Sequence, residues 1–140
     1  MVNRTSKAKD SFDKQKRGYK AVVRGLNFEK KVGEFLSKLG YKIYYEKPIA
    51  KARFDIFGKR TDNWGYGEYY IAECKDKSRV TATDVIHFMS KLRTFYNHLS
   101  IDIDGDKPKV QGLLAYTGEL PADARNAAKG FKPSIKFKKF

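Results

Sequence analysis

Residues 68–79, EYYIAECKDKSR, begin as an apolar strand and then place two opposite charges close together. Side chains alternate between the two faces of a strand, so Glu73 and Lys75 share one face while Cys74 points to the other. The apolar residues around Ile71 predict a central strand of a sheet. A charged pair on a covered face costs free energy. The stretch therefore predicts either an internal ion pair or a working site.

A further acidic residue, Asp55, lies inside the apolar run of the preceding predicted strand, residues 52–58. Turn formers and two glycines at residues 59–67 predict a hairpin that lets Asp55 lie beside Glu73. Two carboxylates at close range repel each other unless a cation lies between them. Hard carboxylate oxygens, without a cysteine or histidine cluster, favour Mg²⁺ or Mn²⁺ as that cation.

The other elements follow from periodicity and turn formers. Helical spacing of apolar residues predicts a first helix over residues 22–39 that ends at Gly40. A strand is predicted at residues 41–47 with Pro48 as a break, and the second strand is expected to end at Gly58.

A second helix is predicted after Arg79, with Thr81 or Thr83 as its cap. Its expected buried stripe consists of Val85, Phe88, Met89, Leu92, Tyr96 and Leu99. The remaining predicted elements are a loop at 101–108, a buried strand at 109–116, a short helix at 121–130 and a last strand at 134–137.

This order of elements and these acids resemble the PD-(D/E)XK nuclease superfamily. Asp55 matches the first acid of the motif, Glu73-Cys74-Lys75 matches E-x-K, and Glu29 matches an acid that many members carry in the first helix. Arg53 and Phe54 stand where the motif has proline, as in many members. The resemblance implies an α/β fold with a restriction-endonuclease-like core: a mixed central sheet of about four to five strands flanked by helices, in the order αβββαβαβ.

The same resemblance implies a Mg²⁺-dependent endodeoxyribonuclease, with Mn²⁺ as a possible substitute. Asp55, Glu73 and the backbone carbonyl of Cys74 would hold the metal, Lys75 would act on the attacking water, and Glu29 would bind a further water or a second ion. Size and layout are similar to archaeal and viral Holliday junction resolvases, which act as homodimers on branched DNA. A restriction or Mrr-like nuclease on duplex DNA and a DNA-binding module without catalysis stay open.

The (D/E)-x-K pattern alone decides little, because the chain contains it twice and its composition gives about as many by chance. The other occurrence, Glu29-Lys30-Lys31, lies on a predicted helix, where positions two apart point about 200° away from each other. Asp55 in the adjacent strand therefore carries more of the prediction than the motif does. Glu29 also fits an exposed acid near a helix start.

Charge indicates the partner, because 30 Lys and Arg residues against 16 Asp and Glu give a net charge of +14. Such an excess suits DNA, although a basic surface that only aids solubility is the alternative. Residues 1–20 lack periodicity and are predicted to form a flexible basic arm before a single nuclease domain at 21–140. The expected DNA-binding residues are Lys7, Lys9, Arg17, Lys20, Arg24, Arg53, Lys77 and Arg79.

The remaining features concern location and aromatic residues. A single cysteine, no apolar signal segment and no membrane-length apolar run predict a cytoplasmic protein without a membrane partner. The aromatic residues of the hairpin region are expected in the core rather than stacked on bases; they are Trp64, Tyr66, Tyr69 and Tyr70.

Overall fold

The structure is a computed structural model that describes residues 23–49, 51–99 and 108–140. Five strands form one sheet in sequence order: β1 (Lys42–Ile49), β2 (Ala52–Thr61), β3 (Gly67–Lys75), β4 (Lys109–Tyr116) and β5 (Ile135–Lys139). The first three strands are antiparallel and the last three are parallel. Helix α1 occupies residues 23–38, α2 is Ala82–His98 and α3 is Ala122–Ala127. The predicted order αβββαβαβ and the mixed sheet are confirmed.

Both faces of the sheet are covered by apolar side chains. On one face, Val32 and Leu36 of α1 pack in a buried cluster with Ile56. On the other face, α2 contributes Phe88 and Leu92 to a second buried cluster. Because both faces are covered, the central strands are apolar with little alternation, and a charge on β3 must find a partner.

Helix α2 begins at Thr81 with a capping box. The Thr81 hydroxyl accepts a hydrogen bond from the Asp84 N–H, and the Asp84 carboxylate accepts one from the Thr81 N–H. The predicted stripe needs one correction: Phe95 is buried, whereas Tyr96 is only partly so. Phe95 continues the helical spacing three residues after Leu92, and it packs edge-on against aromatic rings of the sheet.

Two predicted strand ends are wrong. Strand β1 continues through Pro48, because β1 is an edge strand in which a missing N–H needs no partner. Strand β2 continues through Gly58 to Thr61. A Cβ atom on Gly58 would lie 2.9 Å from the Tyr70 carbonyl oxygen and 3.2 Å from the Tyr41 Cβ atom. Gly58 therefore permits close packing rather than ending the strand.

Some predictions fall outside the described residues. These are the basic arm at 1–20, with Lys7, Lys9, Arg17 and Lys20, and nearly all of the loop at 101–108. Within the ranges that are described, no helix has both the length and the apolar character that crossing a membrane requires.

Candidate active site

Asp55 and Glu73 meet where β2 and β3 run side by side. Ile56 pairs with Ala72 in the antiparallel register of β2 and β3. The next position along this register places Asp55 opposite Glu73. The Asp55 Oδ2 atom accepts a hydrogen bond of 2.8 Å from the Cys74 N–H, which fixes this carboxylate against β3. Its carboxyl group is also within hydrogen-bonding reach of the Glu73 carboxyl group. The structure thus brings the two acids of the motif together.

Two further acids reach Asp55 from neighbouring elements. One carboxylate oxygen from each of Glu29, Glu46 and Asp55 lies within 4.8 Å of the other two. Glu29 comes from α1, and Glu46 comes from β1. We call Glu29, Glu46, Asp55 and Glu73 the acidic cluster.

Glu46 is a member that the sequence analysis missed. Regular pairing of β1 with β2 is interrupted at Glu46, whose φ of 51° lies in the left-handed region. Non-glycine residues rarely adopt this conformation, and the cases that do occur cluster at functional sites. The sequence signal that could have identified Glu46 is the short connection between Ile49 and Ala52. A hairpin that pairs these two residues places Glu46 opposite Asp55.

Glu73 has a cationic partner on α2. Of the polar and charged residues that the structure describes, Glu73 is the only buried one, with 6% of its surface exposed. The Lys91 Nζ atom lies 3.1 Å from its Oε2 atom. Lys91 was also missed, although it lies three residues after Phe88 and four before Phe95 and so had to be near the buried face. The ion pair offsets part of the cost of burying Glu73.

Lys75 lies two residues after Glu73, and its positive charge acts on Asp84 at the start of α2. Among the described residues, no ion pair joins Lys75 to Asp55 or to Glu73, whose cation is Lys91. The structure therefore places Lys75 near the cluster without bonding it to the acids.

Crowding of the acids changes their pKa values. Burial, a hydrogen bond to the Glu46 carboxyl group and the nearby negative charges raise the pKa of Glu29 to about 8. Burial and the Asp55 carboxyl group raise the pKa of Glu73 to about 7, although Lys91 acts in the opposite direction. Burial, followed by the surrounding acids, raises the pKa of the Cys74 thiol well above its ordinary value. Strongly perturbed pKa values cluster at functional sites.

The donor set fits a hard divalent cation. Four carboxyl groups have two bonded cationic side chains, Lys91 on Glu73 and Arg53 on Glu46, and a divalent cation would relieve the remaining repulsion. Carboxylate oxygens are the ligands that Mg²⁺ and Mn²⁺ prefer. The Cys74 N–H points to Asp55, and the carbonyl of the same extended residue points to the same side of the strand.

Arg24, predicted to bind DNA, forms a two-point ion pair with Asp76 just after β3. Its Nε and Nη2 atoms donate hydrogen bonds of 2.7 and 2.9 Å to the two carboxylate oxygens. Arg24 lowers the pKa of Asp76, with the Thr117 hydroxyl also donating to this carboxylate at 2.8 Å. The pair links α1 to the end of β3 next to the acidic cluster.

Two more of the predicted DNA-binding residues are ion-paired. Arg53 lies 3.0 Å from the Glu46 carboxylate at the rim of the acidic cluster. Lys77 contacts Asp84 at 2.5 Å. Arg79 is exposed, and its backbone forms an isolated parallel β-bridge with Glu119, which follows β4. These contacts fix side chains around the site, and their binding to DNA stays a prediction.

Comparison with known proteins bears on the fold. No protein-family model and no curated protein sequence matches the chain. A repair endonuclease from Pyrococcus abyssi matches 86% of this chain with a TM-score of 0.54 at 23% identity. A protein of unknown function matches 79% with a TM-score of 0.57 at 15% identity. EndoMS, in a complex with double-stranded DNA, matches 71% with a TM-score of 0.50 at 20% identity.

The chain has the fold of these endonucleases. It covers 46% of the Pyrococcus abyssi enzyme, 55% of the protein of unknown function and 36% of EndoMS, so it spans about half of their length or less. At these identities the likeness concerns the fold. The predicted mixed α/β core, a central sheet flanked by helices, is confirmed, and the chain shares this fold with the solved structures.

Proposed function

We propose that this chain is a metal-dependent DNA endonuclease that hydrolyses phosphodiester bonds. The acidic cluster carries this proposal, because four carboxyl groups from α1, β1, β2 and β3 converge on one place in the sheet. One fold hosts many functions. The fold shared with repair endonucleases supports the proposal, but the cluster is what points to phosphoryl chemistry.

The proposed cofactor is Mg²⁺, with Mn²⁺ as a substitute. Asp55, Glu73 and the backbone carbonyl of Cys74 are the proposed ligands, and Glu46 adds a carboxylate within reach of Asp55. When bound, the ion would neutralise charge on the scissile phosphate and make a water more acidic. Glu29, on α1, would hold a water or a second ion at the cluster, within reach of Glu46 and Asp55.

The lysines have separate proposed roles. Lys75 would orient the attacking water and stabilise the negative charge that develops on the phosphate. Lys91 would act on Glu73, because its hydrogen bond to the Oε2 atom holds the buried carboxylate in one orientation. Lys91 is thus proposed as a positioning residue, and Lys75 as a catalytic one.

The proposed substrate is branched DNA, cut by a homodimer in the manner of a Holliday junction resolvase. Phosphate contacts fix position on DNA without reading sequence, and the net charge of +14 supports such contacts. A nuclease acting on continuous duplex is the second candidate, because EndoMS was solved with double-stranded DNA. A DNA-binding module without catalysis is the third candidate.

Cleavage assays on a labelled four-way junction and on a matched linear duplex test these candidates. Wild type, Glu73→Gln and the control Glu34→Gln, an exposed acid of α1, are compared with Mg²⁺, Mn²⁺ or EDTA. Paired symmetric cuts in the junction alone, abolished by EDTA and by Glu73→Gln, are the expected result. Equal cutting of the duplex would favour the second candidate, and binding without any metal-dependent cut would leave the third.

A further inference from the structure

The turn between β2 and β3 presents an aromatic side chain to solvent. Trp64 is 85% exposed, more than any other large apolar residue described as exposed. This corrects the expectation that Trp64 lies in the core, whereas Tyr70 is buried and Tyr69 is packed against the core as expected. Tryptophan is a strong contact residue because of its large apolar area, and most of this area is exposed to solvent at Trp64.

Hydrogen bonds hold this turn, residues 62–66, in a defined conformation. The Asp62 Oδ1 atom accepts hydrogen bonds of 2.9 Å from both the Trp64 and the Tyr66 N–H groups. The Asp62 N–H donates to the Tyr66 carbonyl at 2.8 Å. Gly65 has a φ of 84°, a conformation that favours glycine. The turn is therefore preorganised, which lowers the entropy cost of binding through Trp64.

The end of the sheet that carries this turn is basic. Exposed lysines lie at the ends of the strands there, namely Lys42, Lys59 and Lys109. Among the described residues of this end, the two acids are already bonded: Asp62 binds the turn, and Glu68 accepts a hydrogen bond of 2.6 Å from Arg60. We call this turn and these lysines the basic end.

A cavity of about 550 Å³ lies at the base of the turn. It combines aromatic rings with basic side chains; its lining includes Tyr41, Tyr69, Tyr70, Arg60, Lys109 and Lys136. Grooves that bind single-stranded nucleic acid combine positive charge with aromatic rings on which bases stack. The rings of Tyr41 and Tyr70 are buried, so this cavity offers mainly charged side chains, Glu68 among them, and the ring exposed for stacking is that of Trp64 on the turn.

The basic end lies within reach of a DNA that occupies the acidic cluster. Six residue positions separate the Thr61–Gly67 pair from Asp55 and Glu73, which corresponds to about 20 Å along the strands. One turn of duplex DNA is about 34 Å long. One helical turn of DNA is therefore long enough to span this separation.

We propose that Trp64 stacks on an unpaired base of the DNA whose phosphodiester bond lies at the acidic cluster. In continuous duplex each base is covered by its neighbours and must be unstacked before a side chain can stack on it. Flaps, single-stranded ends and branch points expose a base face without this cost. The inference rests on the proposed nuclease function and, among branched DNAs, selects those with an unpaired segment within one helical turn of the cut over a fully paired four-way junction.

Trp64 is the single tryptophan of the chain, so emission excited on the red edge of the absorption band, where the nine tyrosines do not absorb, reports on it alone. The full chain is titrated in EDTA with a single strand, a flapped duplex and a long blunt duplex. We expect the single strand and the flap to quench the emission and the blunt duplex to leave it nearly unchanged. Equal emission with all three would overturn the proposal.

Variants test the same contact without relying on fluorescence. Trp64→Ala should weaken binding of flapped DNA by about 5-fold to about 100-fold, measured by anisotropy of labelled DNA in EDTA. Trp64→Phe keeps a ring and should recover most of the affinity. Ile86→Ala, which shortens an exposed apolar side chain of α2, is the matched control and should change little.

Other outcomes separate this inference from the proposed function. Unchanged DNA affinity of Trp64→Ala, with metal-dependent cleavage intact, would overturn the stacking contact and leave the nuclease in place. Loss of self-association in place of DNA affinity would assign Trp64 to a second copy of the chain and would also overturn the proposal. Quenching and weakened binding without any cleavage would support the stacking contact and overturn the nuclease.

Discussion

The two ends of the central sheet differ in charge and in exposure. At one end the acidic cluster gathers four carboxyl groups, with Glu73 buried, and two of them are paired, Glu73 with Lys91 and Glu46 with Arg53. At the other, the basic end exposes lysines and Trp64 to solvent. Buried like charges raise the free energy of the folded chain and are relieved by a cation, whereas exposed charges cost little. The acidic end therefore has the features of a reaction site and the basic end those of a binding surface.

The largest expected effect comes from neutralising the acidic cluster. Asp55→Asn removes the carboxylate that contacts Glu73, Glu46 and Glu29, and it should lower kcat by on the order of 10²–10³-fold or more. Single-turnover cleavage at saturating DNA measures this loss. DNA affinity in EDTA should stay within a few-fold of wild type, since the proposed phosphate contacts lie outside the acidic cluster. Equal losses of affinity and of cleavage would mean that the two ends of the sheet do not divide these tasks.

The next effect concerns the Glu73–Lys91 pair. Removing one partner of a buried ion pair leaves the other charge without compensation, at a cost of about 3–5 kcal/mol. Lys91 is partly exposed, so we expect Lys91→Met to lower the free energy of unfolding by about 2–3 kcal/mol near pH 8. Urea unfolding measures this change. Lys129→Met, on an exposed site, is the control.

A second variant distinguishes positioning from mere stability. Adding Glu73→Gln to Lys91→Met removes the uncompensated charge and should restore much of the lost stability while cleavage stays absent. Lys91→Arg keeps the positive charge and should recover cleavage more than Lys91→Met does. Full cleavage by Lys91→Met under conditions where it is folded would contradict its positioning role.

The third effect is the pH dependence of stability without metal. The pKa values of Glu29 and Glu73 are raised to about 8 and about 7 from an ordinary value of 4.5. A carboxyl group whose pKa is higher in the folded state stabilises the fold below its ordinary pKa, and this contribution is lost as pH rises through the folded value. The metal-free protein should therefore lose stability between about pH 4.5 and pH 8.

After discounting Glu29 strongly for its partial exposure, the expected loss is on the order of 3–4 kcal/mol, or a fall in Tm of roughly 10 °C. Thermal unfolding in EDTA across this pH range measures it. Mg²⁺ should restore Tm at pH 8 but not at pH 5, and Glu29→Gln should flatten the pH dependence. A Tm that rises with pH up to 8 in EDTA would contradict the crowding of the acids.

The sequence predicts what depends on local alternation and misses what depends on how elements meet. Asp55 and Glu73 could be placed together because one hairpin register and one alternation rule bring them there. Glu46 required the β1–β2 register and a positive φ, and Lys91 required the rotation of α2 against the sheet. Neither residue belongs to the sequence motif. The β1–β2 register would have placed Glu46 opposite Asp55, and helical spacing would have placed Lys91 near the buried face of α2.

Residues with strong local preferences were misread for the same reason. Pro48 and Gly58 usually interrupt strands, but here the edge position of β1 and the close approach of Tyr70 to Gly58 decide their roles. Trp64 was expected in the core from its residue type, whereas the turn built by Asp62 holds it in solvent. Tertiary position overrides the preference of a single residue in each case.

The smallest expected effect comes from the charges of the basic end. Lys59→Gln removes one exposed positive charge next to the Trp64 turn without touching an ion pair among the described residues. If this lysine contacts a phosphate, the slope of log K against log salt should become shallower by about 0.7–0.9, and affinity should fall only a few-fold at moderate salt. Titrations of labelled flapped DNA at several salt concentrations measure the slope, with Lys129→Gln as the control. An unchanged slope would remove Lys59 from the binding surface, and the basic end would then contact DNA through stacking on Trp64 rather than through charge.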